Sequence, residues 1–534
     1  MSDPGARPAK RLPSLVKVSE TWGHVRLAVQ VAAFLLFLFL LFGIQQEMKT
    51  GSLHGLFFMV DPLVGFSATI AGRALIVPML IGGLVLLAAT LVFGRAWCGW
   101  VCPLGSLFDW IPARRARENE SDIHPSWRHG KDFTLFMIVL GAVLGSLTLI
   151  VLDPVTMLFR ALAAVVVPLL NSALLIVDTW LYSFGPLQST VGWFDSSVRA
   201  PLLGDYGLFL PNLTLLALLT GVLALNAVRR RFWCRYLCPL GALLGLVSRI
   251  SLVRHRIDRD NCISCGRCAT RCPTHAIDPE RHYVAQTAEC VSCLDCVENC
   301  PTRAIAFSTG GQINLGYQPE RRRFVQSIGL AAIGAVVLAF LPTPARKVQT
   351  LIRPPGSSED SLADKCIRCG ECVKVCPTSS IQPAVSAPGW DKTWSPHLVM
   401  RRGYCDYSCN ACGRVCPTGA IAALTLEKKR KEVIGVAAID RKRCIPFDED
   451  RECIVCEEMC PLPQKAVTLR TEPGHRAARP HVLAEVCTGC GICEKQCPVA
   501  GEAAIRILPP GTVSADPEEA ESIVESGGAG ATTS

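Results

Sequence analysis

Long apolar stretches alternate with short polar and basic stretches over the first 230 residues. Four stretches are apolar and long enough to cross about 30 Å of hydrocarbon. They are residues 27–44, 74–93, 133–152 and 208–228. A fifth, 161–185, is interrupted by polar residues and proline, so it is predicted to be interfacial or re-entrant. The pattern predicts an α-helical transmembrane bundle in the N-terminal half.

Basic residues favour one orientation of these spans. They precede the first span, lie between the second and third, and follow the fourth: Arg7, Lys10, Arg11, Lys17, Arg26; Arg114, Arg115, Arg117, Arg128, Lys131; Arg229, Arg230, Arg231. Cytoplasmic loops of membrane proteins carry an excess of Lys and Arg. The N-terminus is therefore predicted to be cytoplasmic, in a multi-pass protein of the bacterial inner membrane.

Composition supports a membrane protein with soluble parts. The chain has 534 residues, of which 50% are hydrophobic, and a mean hydropathy of +0.32, which is too apolar for an ordinary soluble enzyme. Its 28 cysteines could serve disulfides, zinc or iron-sulfur clusters, so their spacing has to decide.

The spacing from residue 262 to 301 repeats C-x2-C-x2-C-x3-C-P twice. This is the signature of a bacterial two-cluster ferredoxin, in which three close thiolates bind one cluster and the fourth binds the neighbouring cluster. One predicted ligand set is Cys262, Cys265, Cys268 and Cys300, and the other is Cys290, Cys293, Cys296 and Cys272.

Four more quartets follow residue 360, and in each the last cysteine precedes a proline. They are Cys366, Cys369, Cys372, Cys376; Cys405, Cys409, Cys412, Cys416; Cys444, Cys453, Cys456, Cys460; and Cys487, Cys490, Cys493, Cys497. The sequence predicts six 4Fe-4S clusters in total. For the last four, we expect a nested exchange of fourth ligands, outer motif with outer and inner with inner.

Zinc and disulfides are weaker alternatives. Structural zinc sites use two separated cysteine pairs, whereas here a third C-x2-C step and a Cys-Pro recur. Disulfide scaffolds are usually short secreted domains.

The remaining four cysteines form two pairs, in "AWCGWVCPLG" and "FWCRYLCPLG", each following a predicted inward-running span. Thiols at i and i+4 share one helical face, so Cys98, Cys102, Cys234 and Cys238 could together hold a seventh metal or redox centre. Arg95, Arg231 and Arg235 would stabilise thiolates there. The alternative is that these are small buried side chains that pack where helices end.

The stretch from Glu320, "ERRRFVQSIGLAAIGAVVLAFLPTPARK", resembles a twin-arginine export signal inside the chain. The alternative is a fifth span anchored by its arginines. Both interpretations place residues 351 onward outside the cytoplasm.

Quinol oxidation needs a proton acceptor near the headgroups, and His54 and Asp61 are weak candidates. Asp61-Pro62 and Asp153-Pro154 are more typical of helix N-caps. No haem is expected, because the sequence contains no C-x-x-C-H and no histidine within a confident span.

The two W-C-x3-C-P-L-G elements and the two-cluster motif resemble the NapH type of membrane ferredoxin, with its relatives MauN, NosR and CcoG. The twin-arginine stretch and four quartets, including Cys444-x8-Cys453, resemble the NapG type. The resemblance implies a quinol-oxidising iron-sulfur electron-transfer protein that feeds a periplasmic reductase or c-type cytochrome, with no nucleic-acid partner. A CcoG-like assembly factor, which reduces a metal or thiols during maturation of a respiratory metalloenzyme, is the alternative.

The predicted fold class is a multi-domain membrane protein, an α-helical transmembrane bundle with α+β ferredoxin-like 4Fe-4S domains. The predicted boundaries are 1–257, NapH-like membrane domain; 258–308, two-cluster ferredoxin domain, cytoplasmic; 309–350, signal or anchor; 351–510, NapG-like four-cluster domain, extracytoplasmic; and 511–534, disordered tail.

Overall fold

The structure is a computed structural model of the chain. It describes residues 22–43, 55–111, 125–204, 207–309, 321–340, 351–385 and 392–510. His54, the basic residues before Trp22, Arg114, Arg115, Arg117 and the predicted tail 511–534 lie outside the described residues.

Short and long helices build the N-terminal half. Their bounds are Trp22–Gly43 (α1), Leu56–Val60 (α2), Pro62–Ala71 (α3), Val77–Phe93 (α4), Ala96–Trp100 (α5), Pro103–Trp110 (α6), Gly130–Val143 (α7), Pro154–Ala161 (α8), Val167–Tyr182 (α9), Gln188–Phe194 (α10), Ala200–Leu203 (α11), Leu213–Val228 (α12), Phe232–Tyr236 (α13) and Pro239–Ser248 (α14). Side chains such as Phe37, Leu41, Phe58 and Leu63 are almost completely buried between them. Their core continues into both cysteine-rich parts of the chain.

Three helices in the described part of the chain are long and apolar enough to cross a membrane: Trp22–Gly43, Pro154–Tyr182 and Leu210–Val228. The first and third coincide with predicted spans. The second differs from the prediction, because residues 161–182 continue the helix that begins at Pro154 instead of forming a separate interfacial element. A π-helical turn, Leu162–Val166, leads into Pro168, so the helix accommodates this proline without ending.

The other two predicted spans are shorter than expected. Residues 77–93 form an apolar helix of 17 residues. Residues 133–152 do not form one helix: α7 ends at Val143, and a 3-10 turn occupies Thr148–Leu152. Gly145 separates them with a φ of +80°, a left-handed conformation that ends a helix readily.

Two helical hairpins turn at an Asp-Pro, and the second arm of the second hairpin is the start of the long helix Pro154–Tyr182. In the first, α2 and α3 meet at Asp61, and both outer ends approach the C-terminal part of the chain: a Cβ on Gly55 would lie 3.8 Å from Glu371 Oε1, and one on Gly72 would lie 2.9 Å from Lys365 Cγ. In the second, the turn Thr148–Leu152 and α8 meet at Asp153. Both hairpins therefore place an Asp-Pro at their tip.

Residues 254–308 form a small α+β module. Strand β1 (Arg254–Ile257) pairs with β4 (Ile305–Ser308), and β2 (Ile277–Asp278) pairs with β3 (Val284–Ala285), both antiparallel. The helices Arg267–Arg271 (α15) and Asp295–Glu298 (α16) pack together. This agrees with the predicted ferredoxin-like architecture.

The helix Arg321–Phe340 (α17) follows, and it lies alongside α7. Ala331 and Ala335 are buried, and a Cβ on Gly334 would lie 3.1 Å from Met137 Sδ. Small residues here allow two helices to approach closely. Its role as an export signal stays a prediction.

The C-terminal module carries the last four cysteine motifs on short helices and strands. Its elements are Glu359–Asp364 (α18), Glu371–Val375 (α19), Ile381–Pro383 (β5), Pro396–Leu398 (β6), Ala411–Val415 (α20), Leu426–Lys431 (α21), Val436–Ile439 (β7), Ile445–Asp448 (α22), Val455–Glu458 (α23), Val467–Arg470 (β8), Arg479–Val482 (β9), Ile492–Gln496 (α24) and Ile505–Leu508 (β10). Strands pair antiparallel as β5 with β6, β7 with β10 and β8 with β9.

Candidate metal centres

The two cysteine sets predicted for the first ferredoxin module each surround one cavity. Cys262, Cys265, Cys268 and Cys300 line a cavity of ≈ 340 Å³. Cys290, Cys293, Cys296 and Cys272 line another, of ≈ 320 Å³. Each cavity therefore takes three thiols from one motif and the fourth from the other, which is the exchange that the motif spacing predicts.

The last cysteine of a motif receives a backbone hydrogen bond from a residue beyond the proline. The amides of Ala276 and Ala304 donate to Cys272 Sγ and Cys300 Sγ, both at 3.3 Å. In the C-terminal module, Ile421 and Ala466 donate in the same way to Cys416 and Cys460, both at 3.4 Å. Such N–H donors stabilise a thiolate, so the fourth position is prepared for a metal-bound sulfur.

In the C-terminal module, the first two quartets exchange their fourth thiols. Cys416 joins Cys366, Cys369 and Cys372 around a cavity of ≈ 490 Å³. Cys376 in turn interacts electrostatically with Cys405, Cys409 and Cys412.

The last two quartets exchange in the same manner. Cys497 interacts with Cys444 and Cys456, and Cys460 interacts with Cys487 and Cys490. The expectation of a nested exchange is therefore wrong. Strands β7 and β10 pair with each other, as do β8 and β9 between them in sequence, and this folds the third motif against the fourth rather than against the second.

Burial raises the pKa of several of these thiols, to about 11 for Cys268, Cys290, Cys405 and Cys490. Free thiols at these positions would therefore be protonated at neutral pH. Since a coordinating metal deprotonates a thiol outright, the buried sulfurs fit a metal-bound state. Among the described residues, no group of three or more Cys, His, Asp or Glu side chains could hold a single metal ion.

The two C-x3-C-P pairs lie together where the halves of the bundle meet. Cys98, Cys102, Cys234 and Cys238 are each 5–9% exposed, and the four thiols interact electrostatically with one another. The pairs stand directly beside the first ferredoxin module, because Trp100 Nε1 donates to Ser292 O at 2.9 Å.

Two of the three predicted arginines, Arg95 and Arg231, lie near these four thiols, whereas Arg235 stacks over Tyr236 at 5.1 Å. Arg231 forms a bidentate ion pair with Asp109, at 2.7 and 2.9 Å, and donates to Cys98 O at 3.0 Å. Arg95 donates to Ala288 O at 2.7 Å and lies 3.6 Å from Glu289. The arginines thereby join the two repeats to each other and to the ferredoxin module.

Asp61 and Asp153 act as helix N-caps. Asp61 Oδ1 accepts from the amides of Leu63 and Val64, and Asp153 Oδ2 accepts from those of Val155 and Thr156. The two carboxyl groups also lie close enough to interact electrostatically, and the other oxygen of each, Asp61 Oδ2 and Asp153 Oδ1, has no hydrogen-bond partner among the described residues. This contact between the tips of the two hairpins was not foreseen from the sequence.

Arg160 is a residue that sequence reasoning missed. It is 1% exposed, donates to Arg368 O at 3.0 Å and stacks over Trp394 at 4.7 Å. All three residues line the cavity that the thiol of Cys366 faces. A lone arginine within the apolar stretch after Asp153 is the signal that could have found it, because buried charges in such segments are costly and usually have a role.

Family models for iron-sulfur proteins match much of the chain. A 4Fe-4S binding domain matches residues 75–118 and 211–259, and two others match 255–278 and 487–501. A 4Fe-4S dicluster domain matches 289–381, and a second matches 365–420. The match over 365–420 covers the same two motifs that the structure joins.

Curated relatives are ferredoxin-type proteins. The chain is 36% identical over 187 residues to the ferredoxin-type protein NapG of Escherichia coli, which covers 33% of this chain and 79% of that protein. It is 34% identical over 187 residues to the methylamine utilization ferredoxin-type protein MauM of Methylorubrum extorquens, covering 32% and 82%. Identity to MauN of Paracoccus denitrificans is 29% over 232 residues, covering 42% and 65%. No solved structure matches.

Proposed function

The chain belongs to the family of ferredoxin-type proteins that includes NapG and MauM, and from this premise we propose that it oxidises quinol in the bacterial inner membrane and passes the electrons to an extracytoplasmic reductase or c-type cytochrome. The family supports an iron-sulfur electron-transfer role. In this proposal the 24 cysteines of the six quartets bind six 4Fe-4S clusters.

The observation that carries the proposal is the position of the two ferredoxin modules at opposite ends of α1. Near its N-terminal end, Gly23 N donates to Glu298 Oε2 at 3.2 Å, and Arg26 pairs with Asp295 at 2.6 Å. Near its C-terminal end, Lys374 lies 5.7 Å from the ring of Phe42. A helix of 22 residues is about 33 Å long, so the two modules are separated by about the thickness of a bilayer.

This separation supports the proposed sidedness. The first module, with the N-terminus, would lie in the cytoplasm, and the C-terminal module would lie outside. The basic residues that the structure describes near the first module, Arg26, Arg128 and Lys131, agree with a cytoplasmic face.

Within the C-terminal module, the thiol groups form a series. The thiol group that contains Cys366 lies next to α8, because Arg160 of α8 lines the same cavity and donates to Arg368 O. The thiol group that contains Cys405 contacts the group that contains Cys490 directly, since Cys405 N donates to Cys490 O at 2.8 Å. Such a series suits one-electron transfer away from the membrane, with potentials set by burial and hydrogen bonds to sulfur.

The test uses the full chain purified in detergent, or in membranes, without oxygen. A quinol analogue is added, and the reduced clusters are followed by electron paramagnetic resonance, with dithionite as the control that reduces all accessible clusters. Reduction by quinol is expected. Clusters that respond to dithionite and stay oxidised with quinol would overturn quinol oxidation and favour the assembly-factor alternative.

A further inference from the structure

The four thiols of the C-x3-C-P pairs converge from two sequence repeats on one buried place. Each of Cys102, Cys234 and Cys238 interacts electrostatically with Cys98, and Cys238 interacts with all three others. Since the pairs are 132 or more residues apart in sequence, only the packing of the two halves brings them together. If the cysteines were only small packing residues, the two pairs would not need to meet.

The local backbone holds one thiol of each pair at the start of a helix. Cys102 and Cys238 directly precede α6 and α14, and a proline begins each helix. Gly241 N donates to Cys238 Sγ at 3.2 Å, whereas Cys102 precedes its helix without such a bond. The N-terminal end of a helix favours a negative sulfur.

The glycine of each P-L-G lies next to a thiol. A Cβ on Gly105 would lie 2.6 Å from Cys98 O, which is too close for a real side chain, and 3.7 Å from Cys102 Sγ. A Cβ on Gly241 would lie 2.7 Å from Nη2 at the flexible end of Arg95 and 3.4 Å from Cys238 Sγ. Both glycines therefore leave space beside a thiol.

Arg95 supplies an independent indication of a negatively charged ligand. It is 1% exposed and interacts electrostatically with Cys98, Cys234 and Cys238. Its Nε and Nη2 have no hydrogen-bond partner. A buried guanidinium with unused donors is costly unless it faces a negative charge.

The ion pairs nearby do not supply that charge. Glu289 lies between Arg95 and Lys131, and Asp109 is engaged by Arg231. These residues leave a surplus of positive charge beside neutral thiols. Four thiolates around an iron-sulfide core form an anion, which would balance that surplus.

We infer that Cys98, Cys102, Cys234 and Cys238 bind one additional iron-sulfur cluster, shared between the two halves of the bundle. The two stretches that match the 4Fe-4S binding domain, 75–118 and 211–259, contain these four cysteines and no others. A single zinc ion fits less well, because no three or more of the described Cys, His, Asp or Glu side chains are placed to hold one metal ion, and zinc carries no electrons.

The position of this centre extends the proposed function. Its role in electron transfer rests on that proposal, whereas its existence does not. The loop that carries Cys290 and Cys293 lies on the turn that carries Cys98: Arg95 donates to Ala288 O at 2.7 Å, and a Cβ on Gly99 would lie 2.4 Å from Val291 O. The cluster would exchange single electrons with the Cys290 site, so that one centre is oxidised as the other is reduced and no bond changes.

The first measurement is iron and acid-labile sulfide per chain in the full-length protein, made and purified without oxygen. Six 4Fe-4S clusters contain about 24 iron atoms, and a seventh cluster raises this to about 26 or 28, depending on its type. A fully loaded wild-type protein with about 24 iron atoms, or with zinc or copper at these thiols, would overturn the inference. So would a disulfide within either pair, detected by mass spectrometry.

Variants then locate the additional iron. Cys98→Ser with Cys234→Ser should lose about two or four iron atoms per chain while the spectra of the other clusters stay unchanged. Cys490→Ser is the matched control, since it should alter a signal of the C-terminal module instead.

Cys102→Ser covers the case in which the double variant fails to fold, because it replaces a single sulfur by oxygen at the start of α6. It should shift the resonance signal of one centre and leave the remainder unchanged. An unaltered spectrum would contradict the inference. These readouts do not involve quinol, so they distinguish a failure of this site from a failure of the proposed function.

Discussion

Asp61 and Asp153 each combine two tasks at the centre of the bundle. One oxygen of each carboxyl group caps a helix, and the two groups also interact electrostatically with each other. The other oxygen of each group has no hydrogen-bond partner in the described part of the chain. Both residues are 1% exposed or less, so water does not screen this contact.

Substitutions at Asp61 separate these tasks. Asp61→Ala removes the cap and leaves the carboxyl of Asp153 without its partner, so it should destabilise the chain by about 2–4 kcal/mol. Asp61→Asn should be nearly neutral, because asparagine also caps helices and its amide nitrogen can donate to the carboxyl group of Asp153. Thermal unfolding of the detergent-solubilised chain measures both. Equal stability of the two variants would contradict this account.

His397 makes the C-terminal module sensitive to acid. Burial lowers its pKa to about 4, and its Nδ1 has no hydrogen-bond partner. An unfolded histidine has a pKa of about 6.5, so the unfolded state binds the proton first as the pH falls. The stability contributed by the neutral ring is complete above pH 6.5 and is lost as the pH falls towards 4, by about 3 kcal/mol in total.

The matched variant is His397→Gln, which cannot take up that proton. Wild type should lose stability relative to this variant between about pH 6.5 and 4. The comparison is made by unfolding both full-length proteins at each pH, because acid damage to the clusters affects both equally. A constant difference between the two proteins across this range would contradict the assignment.

At the scale of elements, the ion pair between Arg231 and Asp109 joins the two repeats. Arg231 lies directly before α13, whereas Asp109 lies in α6, and their side chains are 1% and 8% exposed. Removing one member of a buried ion pair leaves an uncompensated charge, which costs about 3–5 kcal/mol. Arg231→Ala should therefore separate the two cysteine pairs and lower the melting temperature markedly.

The matched control is Arg451→Ala. Its ion pair with Glu449 has a similar length, 2.7 Å, but its side chains are 67% and 49% exposed. Exposed ion pairs contribute about 0–1 kcal/mol, so this variant should unfold almost as wild type does. Equal losses of stability in the two variants would show that burial of the ion pair does not determine its contribution.

At the scale of the whole molecule, the two ferredoxin modules should lie on opposite sides of the membrane. A cleavable tag before residue 22 should be protected from external protease in spheroplasts, whereas a tag after residue 510 should be cleaved. Inverted membrane vesicles should give the reverse result. Cleavage of both tags from the same side would contradict the proposed orientation.

The spacing of cysteines along the chain was sufficient to predict which three thiols lie together. That grouping is local, because a few residues of backbone wrap one site, and it holds in the structure for each group discussed. The exchange within the first module was equally predictable, since its two motifs are close in sequence and complete. Apolar runs predicted helices, and Asp-Pro predicted two N-caps.

Only the tertiary structure decided which distant groups meet. The packing of β7 to β10 joined the third and fourth motifs of the C-terminal module and excluded the nested exchange. The packing of the N-terminal helices brought Asp61 close to Asp153. It also brought Arg160 to the backbone of Arg368. The physical reason is that a sequence pattern records the short-range geometry of the backbone, whereas contacts between distant residues depend on how complete elements pack.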